Sequence, residues 1–334
     1  MSEASFHHLP VMVHDVVGLF GPVPPGVVVD ATVGGGGHAE ALLTVHPHLS
    51  VVGLDRDRDA VAAAAERLSP CPGRAQVRHA RFDRLAIVMS DLDLRSVSGV
   101  LFDLGVSSPQ LDRPERGFSH RRTGPLDMRM DAGATSEQRT AADLVNHEPE
   151  AGLARLLSRY GDERFAGRIA RAIVAARPVA TTTELAELVR GAIPAPARRR
   201  GGHPAARTFQ ALRIAVNGEL DVLPGALDQA IDALAPGGRC VVLAYHSGEN
   251  RIVKSRFRHA ATGGCTCPPQ LPCGCGAVHR VRLVRGIARA PGTEEVAANP
   301  RSASARLRAV EKLAPDPAPD PAPDPAPDPA RGGP

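Results

Sequence analysis

Four glycines in a row, Gly34-Gly35-Gly36-Gly37, stand between an apolar run that ends in Asp30 and an alanine-rich stretch that opens at His38. Backbone without side chains lets a ligand approach closely, and the amides at the start of a following helix receive negative charge. Asp55 closes the next apolar run, at the position where a carboxylate accepts the hydroxyls of a ribose. These residues describe a pocket for a nucleotide-like ligand. Gly34, Gly36 and Ala39 also satisfy one form of the dinucleotide fingerprint, so a nicotinamide enzyme is a viable reading. Asp30 tilts the choice. A carboxylate at the mouth of the first strand repels a pyrophosphate but suits the cationic amino-acid end of S-adenosylmethionine, which favours methyl transfer.

Farther along, Phe82 follows the third apolar run, where doubly wound enzymes place an adenine. Its ring can stack on such a base, although core packing is the ordinary fate of a single phenylalanine. The fourth run leads into Asp103-Leu104-Gly105-Val106-Ser107-Ser108-Pro109-Gln110, at the edge where ligands bind beyond the carboxyl ends of the strands. Asp103 and Ser108 are the candidates for chemistry. Cys265, Cys267, Cys273 and Cys275 crowd into eleven positions and supply four thiolates, enough for a tetrahedral structural zinc ion. One residue separates each pair, fewer than in most zinc fingers, and Pro268-Pro269 and Pro272 stiffen the loop. In a reducing compartment such a cluster points to metal before disulfides.

Positioning these groups requires a sheet. Val27-Val28-Val29, Val51 to Leu54, Val77 to Ala80 and Val100-Leu101-Phe102 read as strands, and Ala39 to Val45 and Ala60 to Leu68 as the helices between them. That alternation predicts an α/β fold, a Rossmann-like doubly wound sheet. The strand rhythm then stops, and Ala142 to Val145, Ala151 to Tyr160, Glu163 to Ala176, Thr183 to Ala192 and Arg207 to Leu223 read as helices. Strands resume at Cys240 to Tyr245, Val278 to Val284 and Ala305 to Val310. The expected organisation is a first sheet portion over 1–108, a helical insertion over 109–216, a second sheet portion over 217–313 and a disordered tail over 314–334, where Pro-Asp-Pro-Ala repeats.

A chain of 334 residues with 43% hydrophobic content buries a full core. Forty Lys and Arg against 36 Asp and Glu leave a net charge of +4, too small to argue for an anionic partner by itself. No run is long enough to span a membrane and the N-terminus has no leader pattern, so a cytoplasmic protein is expected, with a homodimer left open.

Several strings resemble one family: Asp103 to Asp112 (DLGVSSPQLD), Gly117-Phe118-Ser119, Gly124 to Asp131 (GPLDMRMD), Tyr160 to Ala172 (YGDERFAGRIARA), Arg207 to Arg213 (RTFQALR) and Asn299 to Ser302. They are similar to the MraW family of ribosomal RNA methyltransferases, from about His7 to Leu313. The resemblance implies a methyltransferase-type sheet and N4-methylation of a cytidine in the decoding centre of 16S ribosomal RNA, within the small subunit, with S-adenosylmethionine as donor. It carries the donor contacts onto Gly36, Gly37, His38, Asp55, Phe82, Asp103 and Gln110. Arg129, Arg207, Arg213 and His246 are assigned with it to the RNA. One departure is visible: where the family shows His-Ser-Leu-Glu-Asp, this chain has His246-Ser247-Gly248-Glu249-Asn250, which points to lowered activity or a silent RNA-binding factor.

The chemistry implied is undemanding of bases. A cytosine amine is a poor nucleophile and a sulfonium methyl a strong electrophile, so alignment supplies most of the catalysis. Ser107-Ser108-Pro109-Gln110 partly resembles the loop with which amino-group methyltransferases grip an amine, with Gln110 in place of a second proline and no aromatic after it. Ser108 with its surrounding backbone is the expected amine acceptor, and Asp103 the alternative. With no Trp and two Tyr, RNA binding must rest on charge and shape. Arg164, Arg168 and Arg171 form a stripe opposite Phe165, Ile169 and Ile173, and Arg198-Arg199-Arg200-Gly201-Gly202-His203 adds a basic loop.

Overall fold

The apolar runs form the centre of a seven-stranded sheet in the computed structural model, which describes residues 10–131, 138–198, 203–268, 274–287 and 289–314. The repetitive tail, Arg199 to Gly202, Cys273 and the side chain of Ser108 lie outside the described residues. In chain order the first portion runs α1 (Val13–Phe20), β1 (Gly26–Asp30), α2 (Gly37–Val45), β2 (Leu49–Asp55), α3 (Arg58–Leu68), β3 (Ala75–His79), α4 (Leu85–Asp91) and β4 (Val97–Asp103). Among the described residues helices then follow without a strand: α5 (Ser108–Asp112), α6 (Ala141–His147), α7 (Glu150–Gly161), α8 (Ala166–Ala175), α9 (Thr182–Ala192), α10 (Ala195–Arg198) and α11 (Ala206–Asn217). The sheet resumes through α12 (Glu219–Ala233), β5 (Leu234–Ala244), α13 (Ser247–Thr262), β6 (Val281–Leu283), α14 (Thr293–Ala298) and β7 (Arg306–Lys312).

The strand order is β3-β2-β1-β4-β5-β7-β6, with β1 to β5 parallel and β7 antiparallel to both neighbours. Between β1 and β4 the order of winding reverses, which opens a crevice at their carboxyl ends. Both faces of the sheet are covered. Val28, Leu101, Val241 and Leu243 pack into one core with α1 and α2, while Val29, Phe102, Val242 and Ala244 pack into the other with α12 and α13. Successive strand residues point to opposite faces, and here both sides are apolar, as buried parallel strands require.

A third core is drawn wholly from residues 118–216. Leu153 and Leu157 of α7, Ile169 and Ile173 of α8, Leu185 and Val189 of α9 and Leu212 of α11 are all fully buried in it, at the spacing of one helix face. Phe165 only half joins this core. The α8 helix starts at Ala166 and not at Glu163, because the Glu163 carboxylate accepts the N–H of Phe165 (2.9 Å) and holds the turn outside the helix.

The single helix expected from Arg207 to Leu223 is two helices. Gly218 adopts φ +63°, a left-handed conformation that ends α11 and opens α12. The strand expected over Val278 to Val284 is reduced to Val281–Leu283 at the sheet edge. The helix α13 has no counterpart among the expected elements; its buried residues are only Glu249, Val253, Phe257 and Ala260. That apolar stripe is too thin to stand out among Arg251, Lys254, Arg256 and Arg258.

Candidate ligand site at the sheet switch point

A cavity of about 320 Å³ lies beyond the carboxyl ends of β1, β2, β4 and β5. Its first wall is the glycine turn. Gly34 (φ +50°) and Gly36 (φ +80°) take left-handed conformations that carry the chain from β1 into α2. The Gly34 N–H donates to Asp55 Oδ2 (3.0 Å), so the carboxylate at the end of β2 pins the turn. Gly34, Gly35, Gly37 and His38 line the cavity. Gly36 does not; it turns onto α3, where an added Cβ would come 3.3 Å from Ala64 Cα. The turn faces the cavity through Gly34, Gly35 and Gly37, of which Gly34 and Gly35 are not among the contacts expected from the sequence. Nothing lies within 4 Å of the place a Gly35 side chain would occupy.

Three carboxylates sit at this strand edge in different environments. Asp30 is 1% exposed and does not line the cavity; its Oδ1 accepts the Thr32 N–H (3.2 Å). Burial, with Asp103 and Asp55 nearby, pushes its pKa up to about 8 despite that bond. The structure therefore places Asp30 beneath the turn, away from the cavity wall on which a cation-binding carboxylate is expected. Asp55 lines the cavity and accepts N–H groups from Gly34 and Asp57 (2.8 Å), yet burial still raises its pKa to about 6. Asp103, at the end of β4, lines the cavity with its side chain 25% exposed.

Asp103 is held from three directions. Tyr245 at the end of β5 donates its hydroxyl to Oδ1 (2.6 Å), and Thr32 Oγ1 accepts the Asp103 N–H (2.6 Å). His38 Nδ1 lies 3.5 Å from Oδ2. The other ring nitrogen of His38 contacts the Val11 carbonyl (3.0 Å), and since a carbonyl only accepts, that nitrogen carries hydrogen. Phe82 lines the cavity and meets Phe102 edge to face (centroids 5.9 Å apart), which leaves its ring as an aromatic wall. Gln110, 5% exposed, bridges the loop after β4 to the loop after β2. Its Oε1 accepts the Ser107 N–H (3.1 Å) and its Nε2 donates to Asp57 (2.9 Å), which also pairs with Arg116 (2.9 Å).

The break at Gly218 builds the remaining wall from α11 and α12. Arg213 grips Glu219 with two bonds of 2.9 Å and stands 4.0 Å from Glu249, all three lining the cavity and nearly buried. Burial raises the pKa of Glu219, with Arg213 opposing and Glu249 reinforcing the shift. Glu249 moves the other way: burial works against its charge, but His246, Arg213 and the Tyr245 N–H together hold its pKa below the usual range. His246 caps α13 from beside Glu249 (3.1 Å) without lining the cavity. Asn217 receives the Met130 N–H (2.9 Å) and donates to the carbonyls of Met128 (2.7 Å) and Arg213 (2.9 Å), tying the loop before α6 to this wall. Tyr245, Asn217, Glu219 and Thr32 are thus site residues absent from the sequence-based set. The signal available was the end of the resumed strand at Tyr245.

The arginines assigned to RNA separate into two groups. Arg164, Arg168, Arg171 and Arg207 are exposed and outside the cavity, with Arg171 3.5 Å from Glu150 and Arg207 on the Asp162 carbonyl (3.3 Å). Arg129 is half-buried and held by Asp127 (2.8 Å), while Arg213 belongs to the cavity. Gly248 and Asn250 do not line the cavity. A Cβ on Gly248 would press on Leu220 (3.0 Å), and Asn250 accepts a bond from Arg308 of β7 (2.8 Å), so both bear on how α13 packs. Among the described residues Cys265, Cys267 and Cys275 converge, and Cys273 lies outside them. Among the described residues no helix is long and apolar enough to cross a membrane.

The set suits a nucleoside ligand with a cationic group: hydroxyls opposite Asp55, a ring against Phe82, a positive charge toward Asp103. Residues 5–313 match the model of the MraW methylase family. The chain is similar to proteins named ribosomal RNA small subunit methyltransferase H. It is 53% identical to that of Frankia alni over 93% of this chain and 96% of the relative. It is 48% identical to that of Heliobacterium modesticaldum (92% and 99%) and 51% identical to that of Thermobifida fusca (91% and 93%).

Proposed function

The chain belongs to the MraW methylase family, and from there we propose that it transfers the methyl group of S-adenosylmethionine to the N4 amine of a cytidine in the decoding centre of 16S ribosomal RNA. The observation that carries this reading is the convergence of the glycine turn, Asp55, Phe82 and Asp103 on one cavity at the sheet switch point. When bound, S-adenosylmethionine supplies an electrophilic methyl. The protein supplies position. Gly34, Gly35 and Gly37 leave backbone space for the donor, Asp55 accepts its ribose hydroxyls, and Phe82 stacks on its base. Asp103, fixed by Tyr245 and Thr32, orients the reacting groups.

Ser108 and the backbone of the turn after β4 receive the cytosine amine, with Asp103 as the alternative acceptor of its proton. Holding the amine in line with the methyl lowers the barrier by about 7 to 11 kcal/mol without a strong base. The target base leaves its stack at a cost of about a few kcal/mol. The helices of residues 109–216 present Arg164, Arg168, Arg171 and Arg207 to RNA phosphates, an electrostatic mode suited to a chain poor in aromatics. This substrate makes the protein a cytoplasmic one.

The donor assignment is tested by calorimetric titration with S-adenosylhomocysteine and with NAD across about pH 5 to 8. Only the first should bind. Hydroxyls that donate to Asp55 favour its ionised form, so the complex has a lower pKa than the value of about 6 in the free protein. Affinity should be full above that value and fall toward tenfold per pH unit below it, with proton release on binding near pH 6. Binding of NAD without S-adenosylhomocysteine contradicts the donor; an affinity independent of pH contradicts the role of Asp55.

A further inference from the structure

Between α13 and β6 the chain leaves the sheet for a loop whose described residues join none of the three cores. The loop is pinched at its neck. Gly263 (φ +58°) packs so closely on the returning chain that a Cβ there would lie 2.6 Å from the Val278 nitrogen, and the Arg280 N–H donates to the Ala260 carbonyl (3.0 Å). Beyond the neck most of the described residues are exposed, and Val278, a large apolar residue, is 72% exposed. Ordering such a segment costs backbone entropy, and its described residues offer little buried apolar area against that cost. Yet Cys265, Cys267 and Cys275 bring their Sγ atoms within 4.8 Å of one another.

We infer that these three cysteines bind a structural zinc ion that crosslinks the end of α13 to the chain entering β6. Sulfurs placed about 2.3 Å from one tetrahedral zinc lie about 3.8 Å apart, which agrees with the observed grouping. The Cys267 N–H points at Cys265 Sγ (3.4 Å), a donor that favours the thiolate needed for metal binding. The Cys265 N–H in turn donates to the Thr262 carbonyl (2.9 Å), so the first ligand is seated directly on the last turn of α13. One disulfide would join two of the three sulfurs and explain nothing about the third. None of the three lines the ligand cavity, so the ion holds the edge of the sheet and takes no part in the reaction.

The test uses the full chain, purified under reducing conditions without a metal-affinity step. Elemental analysis should find close to one zinc per chain. Titration with an organomercurial should release that zinc into a colorimetric indicator as the thiols are blocked. Cys265→Ser and Cys275→Ser should each lose at least nine-tenths of the metal, while Cys71→Ser, at a distant cysteine, keeps it. The wild-type chain with cobalt in place of zinc should show a thiolate-to-cobalt charge-transfer band, a readout independent of how the variants fold. Zinc below about a tenth of an equivalent in the wild type overturns the site. So does unchanged zinc in Cys275→Ser, or a disulfide among these cysteines after thiol trapping.

Discussion

Replacing Asp103 with alanine should lower methyl transfer by about a hundred- to a thousandfold, the usual cost of losing one preorganised polar group at a reacting centre. The side chain stands at the end of β4 on the cavity wall, and Tyr245, Thr32 and His38 surround it. Asp103 lines the cavity with its side chain 25% exposed, whereas Asp30 lies beneath the turn and Asp55 is engaged by the Gly34 and Asp57 N–H groups. The same contacts make the effect local. Thr32 bonds the backbone of residue 103, which alanine retains, so the unfolding midpoint should change little. Asp103→Asn keeps an oxygen for the Tyr245 hydroxyl and should recover part of the loss. Steady-state kinetics of the purified variants read this out, and full activity in Asp103→Ala would remove the residue from the mechanism.

A second large effect is expected at Arg213, this time on stability. Arg213→Leu leaves Glu219 and Glu249 buried side by side without their shared cation. Breaking one partner out of a buried charge cluster costs about 3 to 5 kcal/mol. The double variant Arg213→Leu, Glu219→Leu should regain part of that loss, because one orphaned carboxylate goes with its partner. In the single variant the pKa of Glu219, already raised by burial and no longer opposed by Arg213, rises further, while His246 and the Tyr245 N–H still hold Glu249. The deficit is then absent at low pH, where Glu219 is protonated in both proteins, and grows as pH rises through the raised pKa that Glu219 has beside Arg213. Urea denaturation between about pH 4 and 8 measures this. A deficit that did not change with pH would argue that Arg213 acts through packing alone.

The parts of this molecule that were legible in its sequence are those where one chemical pattern has one structural outcome. Four β-branched runs separated by alanine-rich stretches make a parallel sheet with helices on both faces, and the strands begin within about three residues of where Val27, Val51, Val77 and Val100 put them. The glycine turn and Asp55 were equally plain, because few other residues bend a strand into a helix beside a ligand. Asp30 was harder. It ends β1, and strand alternation sends Val28 and Val29 to opposite cores, so whether the next carboxylate faces a cavity depends on where the pleat stops. The structure buries it and leaves Asp103 on the wall.

Other features depended on contacts remote in sequence. Gly218 sits in a stretch whose flanks both read as helix, and only its left-handed φ splits that stretch and brings Arg213 and Glu219 together. Tyr245 became a site residue through its bond to Asp103, 142 positions away. Gly248 and Asn250, at which the chain departs from the family, do not line the cavity: a Cβ on Gly248 would meet Leu220, and Asn250 accepts a bond from Arg308. A pattern along the chain shows which residues are unusual for a family; it does not show which way they face.

The most direct measurement is methyl transfer itself. Small ribosomal subunits from cells that lack the endogenous enzyme are incubated with the purified protein and tritiated S-adenosylmethionine, and the 16S RNA is digested to nucleosides. The account predicts label in N4-methylcytidine, dependent on Asp103. Label in another nucleoside, or tight binding of the subunit with no transfer, would contradict it.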